Sequence, residues 1–176
     1  NGNLYIMVEY NQEGNKLPHG GLIKVSKDGT KRTLVFEPQE EASIFVLHRG
    51  VFYYSSETYD RGLNANYNIH AVDLQNGGKD EILYHGEKES GSIQDMLCYG
   101  NHLYFREDFS DEEGNLKTEI KEINLNSREI TTLESEDDEK YILMQGVFQD
   151  QIYYTLNGPD VTEDWTWKRR NLDGSG

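Results

Sequence analysis

Carboxylates are the side chains of this chain most able to do chemistry. Two acidic runs contain the candidate binding residues, which are Asp108, Asp111, Glu112, Glu113, Asp137 and Asp138. Gly114 and Asn115 follow the first run, and several closely spaced oxygen ligands are what Ca²⁺ prefers. The spacing is not that of an EF-hand loop, so calcium is a candidate without a motif, and no other cofactor is predicted. Exposed carboxylates also attract basic proteins or peptides, and a surface that only keeps the chain soluble is the simplest alternative.

The histidines give little support for catalysis. None belongs to an H-E-x-x-H pair, and the chain has no G-x-S-x-G elbow. His70 and His102 are predicted to be surface residues of strands. A pair of carboxylates that hydrolyses glycans is the enzymatic alternative, but it depends on a spatial separation that a linear sequence does not contain.

The overall charge limits the partners. The chain has 176 residues and a net charge of −15. Nucleic acid and anionic membrane surfaces would be repelled by such a chain. No apolar run is long enough to span a membrane, so no membrane insertion is predicted. Cys98 is the only cysteine, which excludes an intrachain disulfide, and we predict that its thiol is buried and inert.

A repeat supplies the elements that must position these residues. A turn residue, an apolar residue, a tyrosine and a second large apolar residue recur around Tyr5, Tyr53, Tyr104 and Tyr153, with spacings of 48, 51 and 49 residues. A period near 50 indicates one supersecondary unit repeated along the chain. Each unit contains up to four short apolar stretches separated by turn residues, which predicts an antiparallel meander of four strands, named a to d. Such units are typical of β-propeller blades, and a solenoid is the alternative.

We therefore predict an all-β, β-propeller-like array of four-stranded antiparallel blades. About three and a half blades are present, which predicts an arc of a larger ring. The predicted segment spans the whole chain, as a partial blade over 1–36, blades over 42–84 and 92–133, and a partial blade over 140–176. The remaining blades would come from the same chain or from another copy.

The fourth repeat resembles a known family. Its motif residues are Ile152-Tyr153-Tyr154-Thr155 and Trp167-Lys168-Arg169-Arg170-Asn171-Leu172-Asp173-Gly174-Ser175. They resemble the YWTD-type propeller of lipoprotein-receptor proteins and, more closely, a bacterial domain of unknown function described as a receptor-like propeller. The resemblance implies a secreted or surface-anchored bacterial protein. The final Asp position of the motif departs from the family in every repeat, where it holds Val8, Ser56, Glu107 and Leu156.

The net charge falls on one predicted face. Because successive strands of a meander alternate in direction, the b–c loops and the blade-to-blade d–a links share one end of the blades. The b–c loops are predicted over 11–20, 57–66, 106–118 and 156–164, and the d–a links over 37–42, 86–91 and 134–140. Together these segments hold 21 acidic and 6 basic residues, so their charge equals the −15 of the whole chain.

Aromatic residues accompany the acidic loops. Tyr59, Phe109 and Trp165 are candidate contacts, because exposed aromatic side chains mark interfaces or sugar contacts. Anchoring of the loops is the alternative role. Trp167 is predicted to belong to the core, because it occupies the same register position as Ile120.

These observations predict a non-enzymatic extracellular recognition module of a bacterial cell surface. It would bind a protein or peptide, basic in character, through the acidic loop face. A glycan hydrolase with a carboxylate site at the propeller centre is one alternative, and a structural spacer domain is another.

Overall fold

The computed structural model describes residues 3–60, 63–86, 91–137, 140–158 and 165–172, without the side chains of 59, 60 and 63–65. These residues form fourteen β-strands and no helix, and accordingly none of them belongs to a helix able to cross a membrane. The strands are β1 (Leu4–Tyr10), β2 (Lys16–Val25), β3 (Arg32–Phe36), β4 (Ala42–His48), β5 (Val51–Asp60), β6 (Leu63–Asp73), β7 (Asp80–His85), β8 (Ser92–Tyr99), β9 (His102–Ser110), β10 (Leu116–Asn124), β11 (Ile130–Asp137), β12 (Tyr141–Phe148), β13 (Gln151–Asn157) and β14 (Thr166–Asn171).

The strands pair in chain order into four antiparallel sheets. Sheet 1 contains β1–β3, sheet 2 contains β4–β7, sheet 3 contains β8–β11 and sheet 4 contains β12–β14. Every sheet is a meander, because each strand pairs with its neighbours along the chain. The predicted all-β, β-propeller-like fold class is thereby confirmed. The assignment of the whole chain to one propeller segment stays a prediction.

The chain divides into two compact units, and a hydrophobic core cluster is described in each. The first unit comprises Asn1–Thr58 and Asn68–His85, and the second comprises Tyr59–Tyr67 and Gly86–Gly176. The core cluster of the first unit contains Leu22, Phe52, Tyr54 and Val72. The core cluster of the second unit contains Tyr104, Ile120, Leu133, Ile142, Ile152, Tyr154 and Leu156. The repeat thus contributes aromatic side chains to both cores.

The repeat tyrosines occupy equivalent register positions. The pairs that show this are Tyr5 opposite Lys24, Tyr104 opposite Glu122, and Tyr153 opposite Arg169. Each of these tyrosines therefore lies in strand b of its repeat and faces the same position of strand c. The recurring motif is a packing element of the sheets.

The strands extend far into the predicted b–c loops. β2 begins at Lys16, β9 continues to Ser110 and β10 begins at Leu116, so the predicted loops over 11–20 and 106–118 are wrong in extent. The reason is that these mainly polar stretches also contain apolar residues whose side chains are buried. Leu17 is 7% exposed and Phe109 is 6% exposed. The loops are instead the outer ends of long β-hairpins.

Two of these hairpins close with the same turn. Residues 11–15 read Asn-Gln-Glu-Gly-Asn, and residues 111–115 read Asp-Glu-Glu-Gly-Asn. In each turn the Oδ1 of the first residue accepts hydrogen bonds from the amides of the third and fifth residues, at 3.0 and 2.9 Å. The glycines have φ values of 83° and 87°, in the left-handed region that a three-residue hairpin loop requires. The turns are therefore specified by local sequence.

Trp167 does not belong to the core, and that prediction is wrong. Its side chain is 65% exposed, although Ile120 in the equivalent register position is fully buried. Ile120 lies in the second core cluster together with side chains of sheet 4. Trp167 lies in β14, which pairs with β13 alone among the described strands. Trp167 belongs to neither of the described core clusters.

Candidate functional site at the acidic end of sheet 3

The central strand β10 brings two acidic runs to one end of sheet 3. Lys117, near the start of β10, lies opposite Phe109 of β9 on one side and opposite Asp137 of β11 on the other. The turn over residues 111–115 therefore lies at the same end of the sheet as the last residues of β11. We call this region, made of residues 110–116 and 134–137, the acidic end of sheet 3.

The turn separates a structural carboxylate from two exposed ones. Asp111 accepts the amides of Glu113 and Asn115, and these hydrogen bonds, that of Asn115 first, hold the pKa of Asp111 below its usual range. Glu112 and Glu113 are exposed, and the ion pairs of the described residues include neither of them. The turn thus presents two charges on an ordered backbone.

Asp137 adds a third exposed carboxylate. Its side chain is 65% exposed, and its only ion pair among the described residues is with Lys117 at 4.0 Å. An exposed pair at that distance contributes about 0–1 kcal/mol, so the Asp137 carboxylate remains accessible to a partner. Asp138 lies outside the described residues.

Asp108 does not belong to the exposed set. Its carboxylate is half-buried and lies 3.3 Å from Nε of Arg106, whose guanidinium also lies 3.3 Å from Asp95. Arg106 Nη1 donates to the carbonyl of Ile142 in β12 at 2.8 Å. Burial raises the pKa of both Asp108 and Asp95, and the Arg106 charge opposes that rise. This cluster connects sheets 3 and 4.

Glu107 is an internal charge. It is fully buried, it accepts the Tyr67 hydroxyl at 2.6 Å, and it forms an ion pair with Lys121. Lys121 also lies 3.2 Å from Glu119, and its ammonium lies 5.9 Å from the centre of the Phe109 ring. Glu107 and Asp108 were both counted on the predicted acidic face, so part of that charge is neutralised inside the second unit.

The candidate aromatics have different environments. Phe109 is 6% exposed, so the expectation of an exposed contact is wrong for it, because it packs beside the buried Lys121 ion pair. Trp165 is 52% exposed, as predicted, and its role in binding stays a prediction. The prediction for Tyr59 concerns a side chain outside the described residues.

The first unit contains a buried polar network around His70. Its Nδ1 lies 2.9 Å from Asp80 Oδ1, and its Nε2 lies 2.9 Å from Ser56 Oγ. Tyr54 donates to Asp80 at 2.5 Å and its ring stacks on the imidazole, with centroids 4.5 Å apart. His70 is 6% exposed, so its predicted surface position is wrong. His102 is half-buried and contacts Glu122.

The network has the distances of a nucleophilic triad without its accessibility. Ser56 is fully buried, and its hydroxyl donates to Glu40 at 2.5 Å. A serine that is closed to solvent and already donates its proton cannot attack a substrate that arrives from solution. Burial, and next the hydrogen bond to Asp80, raise the pKa of Tyr54, which therefore remains a donor. The network holds β5, β6 and β7 together.

Metal binding receives no geometric support from the described residues. No group of three His, Cys, Asp or Glu side chains among them could hold a metal ion. Calcium at residues 108–115 stays a prediction, with Asp108 engaged by Arg106 and Asp111 engaged by its own turn. Cys98 is half-buried, and burial raises the pKa of its thiol to about 12, so it stays protonated at neutral pH.

Sequence reasoning missed two of these features. The shared turn had a readable signal, since its five-residue pattern recurs 100 positions apart, at Asn11 and Asp111. The His70 network had no local signal, because Ser56, His70 and Asp80 come from three different strands.

Comparison with known proteins supports the fold and identifies no family. No family model and no curated protein matches the chain. The chain is similar to a structure assigned as TolB from Agrobacterium tumefaciens, with a TM-score of 0.59 and 14% identity, covering 99% of this chain and 59% of that chain. It thus spans 59% of the length of that structure. A nidogen/laminin complex matches with a TM-score of 0.39 and 12% identity, over 69% of this chain and 57% of that chain. The chain resembles β-propeller structures in fold.

Proposed function

We propose that this chain is a non-enzymatic recognition module that binds a basic protein or peptide through the acidic end of sheet 3. One observation carries the proposal. Glu112 and Glu113 are exposed on an ordered turn, and the exposed Asp137 lies at the same end of the sheet. A bacterial extracellular or cell-surface location belongs to the proposal and rests on the receptor-like resemblance of the fourth repeat.

The ordered turn and the negative charge both favour binding of a partner at the acidic end of sheet 3. Hydrogen bonds to Asp111 already fix the turn, so a partner would not have to order it on binding. A negative site on a chain of net charge −15 attracts a positive partner over a distance and increases the association rate at low salt. Binding surfaces on connecting turns of a rigid scaffold are a common arrangement.

Charge reversal tests the proposal. The probe is a flexible lysine-rich peptide, and its affinity is measured by fluorescence anisotropy. We expect the triple variant Glu112→Lys, Glu113→Lys, Asp137→Lys to bind at least about tenfold more weakly, which corresponds to about 1.4 kcal/mol.

A matched control separates the site from the net charge. Glu9, Glu81 and Glu129 are exposed residues outside the acidic end of sheet 3, and their reversal to Lys changes the net charge by the same amount. This control should retain most of the affinity. An equal loss in both triple variants would show that only the total charge matters, and the proposed site would then be rejected.

A hydrolase is the second candidate, because the Ser56, His70 and Asp80 distances match those of a triad. The full burial of Ser56 argues against it. A fluorophosphonate probe that labels Ser56, or turnover of glycoside or ester substrates above the buffer rate, would favour the hydrolase. We expect neither.

A further inference from the structure

A cavity in the first unit lies away from its hairpin turn over residues 11–15. Its volume is about 760 Å³, within the range of small-molecule sites. Residues at the start of β1, at the end of β2 and in the turns after β4 and β6 form its wall. In sheet 1, β1 and β2 pair over Tyr5 and Lys24 at this end. The cavity thus lies at the opposite end of sheet 1 from the turn that joins these two strands.

The wall of this cavity is cationic in an acidic chain. Lys24 and Arg49 line it, and none of the described residues of the wall carries a carboxylate, although the chain has a net charge of −15. Asn3 and Gln75 add amide groups, and Tyr5 adds a phenol. Two cationic side chains can bind the oxygens of a carboxylate or phosphate group, and the neighbouring amides and phenol can form hydrogen bonds with the polar remainder of the same molecule.

The backbone of the wall is ordered. Arg49 and Gly50 both have left-handed φ values, 51° and 86°, which is the geometry of a tight hairpin turn. The Gly50 carbonyl accepts the Leu74 amide at 3.1 Å. A Cβ at Gly50 would lie 2.1 Å from Nε2 of Gln75, so only glycine leaves room for that amide.

The acidic residue that precedes Leu74 in the chain, Asp73, forms hydrogen bonds within its own turn. Asp73 accepts the amides of Gln75 and Asn76 and the side chain of Asn76, at 2.6 to 3.1 Å. The side-chain hydrogen bond from Asn76, and then the Gln75 amide, hold the pKa of Asp73 below its usual range. Its carboxylate is therefore satisfied within its own turn and does not line the cavity.

We infer that this cavity binds a small organic molecule that carries a carboxylate or phosphate group. Arg49 and Lys24 bind the oxyanion, and Asn3, Gln75 and Tyr5 contact its polar body. The ligand is small, because a polyanionic macromolecule would be repelled by the rest of the acidic chain. This inference is independent of the proposed function, since it uses other residues in the other unit.

Calorimetric titration of the full chain tests the inference. The probes are glucuronate for a carboxylate, glucose 6-phosphate for a phosphate, glucose as the neutral match and inorganic phosphate as the bare ion. We expect at least one sugar anion to bind at least about tenfold more tightly than glucose. The stronger of the two anions identifies the source of the oxyanion. Absence of millimolar binding by every anion, or equal binding of glucose, would overturn the inference.

Two variants locate the binding. Arg49→Gln is expected to reduce the affinity for the preferred anion by about tenfold or more. The matched control is Arg128→Gln, because Arg128 is also exposed and also has a left-handed φ, 65°. If Arg49→Gln does not fold, Lys24→Gln provides the same comparison. Equal affinities of wild type and the folded cavity variant would overturn the inference.

Discussion

Burial decides what each carboxylate of this chain does. Glu107 and Glu112 are five positions apart, yet the first is fully buried with Lys121 and Tyr67 while the second is exposed. A buried charge is tolerated only when it is paired and hydrogen-bonded, so the second unit depends on the partners of Glu107. Glu112 is free to meet a partner. A charge count along the sequence treats the two as equal.

Lys121 should therefore contribute far more stability than Lys117 on the same strand. Lys121→Met leaves the buried Glu107 carboxylate without its cation and should lower the free energy of unfolding by roughly 3–5 kcal/mol. Lys117→Met removes an exposed pair and should cost about 0–1 kcal/mol. Urea denaturation of both variants measures the difference. Similar losses would contradict the internal ion pair.

The pH dependence of the same pair has a defined sign. Burial would lower the pKa of Lys121, but the hydrogen bonds and charges of Glu107 and Glu119 outweigh it and raise that pKa above 10.5. A raised lysine pKa stabilises the fold below the unfolded value, and the stabilisation is lost as pH rises through the folded value. The stability difference between wild type and Lys121→Met, measured by urea denaturation, should thus persist at neutral pH and shrink in strongly alkaline solution.

Ser56 should be important for stability and unimportant for chemistry. Ser56→Ala leaves Glu40 without its donor and His70 Nε2 without its hydroxyl partner, which should cost about 1–3 kcal/mol. The exposed Ser127 is the control, and Ser127→Ala should stay within about 0.5 kcal/mol. Thermal unfolding of both variants is the measurement. A neutral Ser56→Ala would show that the network does not support the first unit.

The hairpin formed by β9 and β10 is the element that places Glu112 and Glu113 on the surface. The length of its strands was hidden in the sequence, because the run of Asp and Glu has the composition of a loop, whereas residues such as Phe109 are buried. The repeat tyrosines indicated four sheets, since their period does not depend on distant contacts. The burial of His70 and the exposure of Trp167 could not be predicted from the neighbouring sequence. Each depends on which residues of other strands pack against the side chain.

The two equivalent turns predict which substitutions the acidic hairpin tolerates. Asp111→Asn keeps the Oδ1 acceptor that Asn11 supplies in the first turn, so the amides of Glu113 and Asn115 should stay protected. Asp111→Ala removes the acceptor, and both amides should exchange faster with deuterium. Hydrogen exchange followed by NMR distinguishes the two. Equal exchange in the Ala and Asn variants would mean that the side chain does not hold the turn.

Over the whole molecule, acidic charge exceeds basic charge by 15. Repulsion among the excess carboxylates opposes the folded state, and salt near 0.15 M screens it over a Debye length of about 8 Å. The melting temperature should therefore rise from low salt to that concentration. The triple variant Glu9→Lys, Glu81→Lys, Glu129→Lys has less excess negative charge. Its melting temperature should therefore rise less over the same change in salt concentration. An identical salt response of the two proteins would contradict this electrostatic account.

The location of basic-peptide binding tests the central claim most directly. Backbone amide shifts of the full chain are followed by NMR while the lysine-rich peptide is added. We expect the largest shifts at residues 110–116 and 134–137, and small shifts at the turn over residues 125–129, at the opposite end of sheet 3. Shifts concentrated at 125–129, or spread evenly over the chain, would contradict recognition through the acidic end of sheet 3.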